Sequence, residues 1–191
     1  MLPIAPLMIE HRCIERMIRL LAQERDRLQA NINVSPEFAF VEPRLLQASV
    51  TFLRGYADAR HHGKEEEILF AALQAKPLRS EHRQLMQQLQ AEHRWGREAT
   101  RKLEAATKRL GQGHEDALAE VLAGLHDLVD FYPRHIATED REFFVPVMVY
   151  FSETEQADLL KDMEIFDQDH DPAPYEKLLA DWEAQGCKCH L

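Results

Sequence analysis

Two stretches of the chain set a histidine four residues ahead of a glutamate inside an otherwise apolar helical pattern. Residues 61–67 read HHGKEEE and residues 135–139 read HIATE. Side chains four apart on an α-helix share a face, with Cβ atoms ~5–6 Å apart. An imidazole and a carboxylate at that spacing can reach one cation. The first stretch offers two such pairs, His61 with Glu65 and His62 with Glu66. The apolar stripe chooses between them. Phe52, Tyr56 and Ala59 continue at helical spacing to His62 and Glu66, then to Leu69, Phe70 and Leu73. This predicts that His62 and Glu66 face inward, while His61, Lys64 and Glu65 turn toward the flank. Gly63 fits a crowded approach to a neighbouring helix, since it otherwise costs ~1 kcal/mol against Ala. In the second stretch His135 and Glu139 lie among Phe131, Ile136, Phe143 and Val147, and Asp140 is a further candidate carboxylate.

A single pair of this kind is also an ordinary solvated surface pattern, so the other helices matter. His11 begins a stripe continued by Ile14, Ile18 and Leu21, and His93 lies beside a stripe of Leu85, Leu89, Ala99 and Leu103. His82 and His126 fall outside the pattern and read as surface or structural residues. Buried histidines and carboxylates cost several kcal/mol each when unpaired, so a core holding them needs cations. Imidazole and carboxylate donors without a thiolate favour iron or manganese over structural zinc. Two carboxylates facing each other suit a dinuclear site.

The elements that must carry these residues are helices. Apolar residues recur at three- and four-residue steps and strand-like alternation is almost absent. Helices are expected from about Leu7 to Leu28, Arg44 to Leu73, Ser80 to Leu110 and Glu115 to Tyr150, with a loop "QANINVSPEFAFVEP" after the first. Lys76-Pro77 and "GQGH" close the second and third helices, and Pro133 and Pro146 interrupt or kink the fourth. "SETE" at 152–155 is a capping box opening a short helix, and another follows near the C-terminus. The expected fold is all-α, an antiparallel up-down-up-down four-helix bundle over residues 5–150. Residues 151–186 form a helical extension, and 187–191, "CKCHL", a tail.

Bulk composition narrows the partners. The 191 residues carry 33 acidic and 23 basic side chains, for a formal charge of −10. That argues against nucleic acid and against an anionic membrane surface. No apolar run approaches the ~20 residues of a membrane span. The N-terminus has no secretory pattern, and the three cysteines, Cys13, Cys187 and Cys189, form no disulfide framework. A cytoplasmic protein, monomeric or homodimeric, is expected.

Taken together, "EHRCIERMI", "HHGKEEEILF", "EHRWGRE" and "HIATEDREFF" resemble the hemerythrin-like, or HHE cation-binding, domains over roughly residues 5 to 150. The resemblance implies a four-helix bundle around two iron ions in a carboxylate-bridged non-haem centre, with manganese or zinc as alternatives. It implies His11, His62, Glu66, His93, His135 and Glu139 as metal ligands, with Glu66 and Glu139 bridging. The family's oxygen carriers have a second histidine four residues after the third-helix ligand. Arg97 stands there, where it would pair a ligand carboxylate or a bound anion. The implied function is binding or reduction of a small diatomic or peroxide ligand (O2, NO or peroxide), in sensing or detoxification. The alternatives are iron storage or delivery, iron-centre repair, and an interaction module that needs no metal.

Overall fold

Among the described residues, apolar side chains at helical spacing build six helices, and their ends are set by local chemistry. The computed structural model describes residues 1–35 and 39–186, and no strand occurs among them. Helix α1 spans Ile4–Val34, α2 residues 43–74, α3 Ser80–Gly111, α4 residues 117–147, α5 Glu153–Gln168 and α6 Ala173–Gly186. The Glu42 side chain accepts from the Arg44 backbone N–H and Pro43 opens α2, where its missing N–H costs nothing. Gly113, with φ of 90°, turns the chain after α3, a conformation only glycine adopts freely. Ser152 and Glu155 form the expected capping box at the start of α5.

The helices differ from expectation in three respects. Helix α1 continues to Val34, through the start of the expected loop. A Gln29–Asn33 side-chain hydrogen bond of 3.2 Å supports this last stretch. Pro133 does not interrupt α4, because the helix runs unbroken from Ala117 to Thr138 around it. The helical geometry changes instead at Glu139–Phe143, which widens into a π-helix. A wider change affects α2, where Leu53–His62 and Glu65–Phe70 are both π-helical.

The long helices pack α3 on α4, α1 on α4 and α2 on α3. Their buried faces form two separate apolar clusters. One gathers Ile14 to Leu28, Leu45 to Ala57, Ala99 to Ala106 and Val121 to Ile136. The other gathers Leu7, Leu69 to Leu73, Leu89, Phe143, Phe144 and Val147. The C-terminal extension is built into both, with Leu179 of α6 in the first and Leu159 and Met163 of α5 in the second. No described helix is long and apolar enough to cross a membrane. Cys187 and Cys189 lie outside the described residues.

Candidate metal centre

The two apolar clusters leave a polar layer between them, and every long helix crosses it. On α1, His11 stands between Leu7 of one cluster and Ile14 of the other. On α2 the gap from Ala57 to Leu69 holds His61, His62 and Glu65. On α3 the gap from Leu89 to Ala99 holds His93, and on α4 His135 and Glu139 stand between Tyr132 and Phe143. None of these seven residues is more than 3% exposed. Four helices therefore deliver imidazoles and two carboxylates to one level of the core.

The ring nitrogens divide into two roles. The Nε2 atoms turn inward. His11 Nε2 lies 3.1 Å from Glu139, His61 Nε2 3.6 Å from Glu65 and His135 Nε2 3.3 Å from Glu139. His93 Nε2 lies between the two glutamates, 3.3 Å from Glu65 and 3.4 Å from Glu139. The Nδ1 atoms turn outward, each to its own carboxylate. His11 meets Asp140 at 2.8 Å, His61 meets Glu10 at 3.1 Å, His93 meets Glu66 at 2.7 Å and His135 meets Glu92 at 2.8 Å. His62 Nδ1 is 3.5 Å from Asp58. A carboxylate on Nδ1 fixes the ring and makes Nε2 the free, more basic donor, the arrangement found around metal-bound histidines. Arg97 joins two of these supports, donating to Asp58 at 2.6 Å and to Glu66 at 2.9 Å.

Most of the inward atoms are left without partners, and so is Nδ1 of His62. Nε2 of His11, His61, His62 and His135, both oxygens of Glu65 and one of Glu139 are buried and accept or donate no hydrogen bond. Buried polar atoms are normally satisfied, and these converge. Donor atoms of His62, His93 and His135 lie within 4.8 Å of one another, as do those of His11, His61, Glu65 and Glu139. Each of these two groups could hold a metal ion.

Protonation follows the same geometry. Burial, then the neighbouring imidazoles, holds His61 well below its ordinary range and His62 at about 3, so both rings are neutral. Burial also opposes charge on His11, but Asp140 and Glu139 outweigh it and raise this ring to about 9. Burial and the adjacent Glu139 push Glu65 far up. Burial acts on Glu139 in the same direction, yet His135, His11 and His93 overcome it and keep that carboxyl ionised.

The sequence-based facing of α2 is corrected here. His61, Lys64 and Glu65 were expected on the flank, and all three are buried. Glu66, expected inward, keeps 29% of its side chain exposed and serves as the outer partner of His93. The reason is the π-helical backbone. A π-turn closes i→i+5 and holds more than four residues, so each one shifts the facing away from a 3.6-residue count. The two π-segments of α2 bring both histidines inward and exchange Glu65 for Glu66. No spacing rule signals such a segment, although the doubled His-x3-Glu offered both pairs. Asp140 takes the outer place on His11 and Glu139 the inner one. Asp58, four residues before His62, was legible as a partner. Glu10 and Glu92 were not, because each serves a histidine on another helix rather than its own neighbour. Tyr56 and Tyr132 are buried in the apolar cluster. His82 meets the Tyr150 hydroxyl at 2.8 Å, away from this layer.

Residues 2–145 match the family described as the hemerythrin HHE cation binding domain. Comparison with curated proteins and with solved structures returns no match.

Proposed function

Because the chain belongs to the hemerythrin HHE cation-binding family, we propose that its polar layer holds two iron ions. His62, His93 and His135 would hold one, and His11, His61, Glu65 and Glu139 the other. Bound there, the irons would supply an open position for O2, NO or peroxide and the electrons to reduce it, in sensing or detoxification. The reading includes an antiparallel up-down-up-down order of α1 to α4, supported by the short links 75–79 and 112–116.

The carrying observation is the set of partnerless Nε2 and carboxylate oxygen atoms, with the rings of His11, His61 and His135 each backed by a carboxylate at Nδ1. The chain's own residues do the rest. The outer carboxylates aim the rings and hold Nδ1–H, and the aromatic rings of Phe70, Phe143 and Phe144, all fully buried, exclude bulk water from one side. Soft ligands are missing from the layer, which favours iron or manganese over a thiolate-bound metal.

Metal analysis of protein from iron-supplemented culture tests this directly. About two irons per chain and a visible absorption change on adding oxygen, azide or nitric oxide are expected. A chain that carries no iron and takes up none refutes the reading.

A further inference from the structure

Beside the polar layer lies a second buried charge cluster that metal binding alone does not require. Lys64 is 0% exposed and pairs with Glu10 and, at 2.8 Å, with Asp167 of α5. Arg60 donates to Glu10 at 3.1 Å, to Asp167 at 2.7 Å and to the His170 carbonyl. Glu10 turns its other oxygen to His61 Nδ1, 3.1 Å away. Two cations thus face two anions, and one anion is also the support of an inward histidine.

We propose that the C-terminal extension, through Asp167, Lys64 and Glu10, positions His61 and thereby sets the retention of one cation, the one on the His11, His61, Glu65 and Glu139 side. The proposal rests on the metal reading above and adds a residue outside the matched segment 2–145. Asp167 acts through charge balance. Without it, two buried cations compete for Glu10, and Glu10 is drawn from His61. A buried lysine cannot go unpaired without a cost of several kcal/mol, so the network responds as a unit.

The seating of α5 on α2 is specific. A Cβ placed on Gly63 would lie 2.7 Å from Cζ of Phe166, the neighbour of Asp167, so the glycine admits the ring that brings Asp167 to Lys64. The other cation's histidines are held separately. His62, His93 and His135 take their outer partners from Asp58, Glu66 and Glu92, none of which hydrogen-bonds or ion-pairs with a described residue of the extension. The dependence on α5 is therefore one-sided.

The test loads the full-length chain with Co2+ and follows its release to excess chelator by visible absorption. Asp167→Asn is expected to lose one Co2+ per chain at least ~10-fold faster than the other, the range expected when an outer partner of a metal-bound histidine is removed. Gly63→Ala, which displaces Phe166 without changing charge, is expected to give the same one-ion fast phase. Glu164→Gln, on the exposed side of α5, should release both ions as wild type does. If both ions leave Asp167→Asn and Gly63→Ala together, at the wild-type rate or faster, the proposal is overturned while the metal reading stands. A wild-type chain that takes up no Co2+ removes both.

Discussion

Glu66 accepts from Nδ1 of His93 at 2.7 Å, on the side of the ring away from the inward cluster. Glu65, its neighbour, is fully buried on the inner side. The two glutamates thus have different jobs. Glu66→Ala should keep two cations per chain and bind them ~10–100-fold more weakly. Glu65→Ala should lose at least one cation outright. Metal titration of both variants checks this, and the opposite ranking would restore Glu66 as the inner ligand.

His61 and His62 are adjacent in sequence but belong to different donor groups. His61→Ala is expected to retain one cation per chain, held by His62, His93 and His135. His62→Ala should retain the other. Stoichiometry by elemental analysis decides, and loss of both ions from either variant would mean the two positions do not bind independently.

Removing metal should cost stability. Two buried carboxylates and several imidazoles would be left with orphaned atoms, and a cation that binds only the folded chain adds ~4 kcal/mol at a free concentration a thousandfold above its Kd. Thermal melting with and without chelator should show a lower midpoint for the stripped protein. An unchanged midpoint would favour a scaffold that needs no metal.

The metal-free protein should be most stable near the ordinary histidine pKa of 6.5. His61 and His62 are neutral when folded, His62 down to about 3, yet gain a proton below 6.5 when unfolded. The unfolded chain then binds more protons, so stability falls as pH drops. Glu65 and Glu10, both raised by burial in the fold, oppose this and make the acid limb shallower. Above 6.5 the sign reverses, because His11, raised to about 9, keeps a proton that the unfolded chain releases. Stability should therefore decline again toward pH 9. Denaturant melts of chelated protein across pH 4 to 9 measure both limbs, and a monotonic profile would contradict these assignments.

Gly55 marks where α6 seats on α2. A Cβ there would lie 1.9 Å from the Tyr175 hydroxyl. Gly55→Ala should destabilise by ~1–3 kcal/mol through overpacking. Tyr175→Ala in the same chain should recover part of that loss, so the pair is non-additive. Additive losses in a double-mutant cycle would show that the two residues are not in contact.

The helices, their caps at Ser152 and Gly113, the all-α class and the presence of a histidine and carboxylate core were legible in the sequence, because they rest on spacing and local chemistry. His11, His62, His93, His135 and Glu139 could be singled out by position on apolar stripes. The tertiary structure decided which neighbour faces inward, Glu65 rather than Glu66 and His61 as well as His62, because two π-helical segments carry α2 off the 3.6-residue repeat on which stripe reading depends. It alone decided the outer partners too. Glu10, Glu92 and Asp140 each support a histidine on another helix, and only packing determines which side chains meet across a bundle.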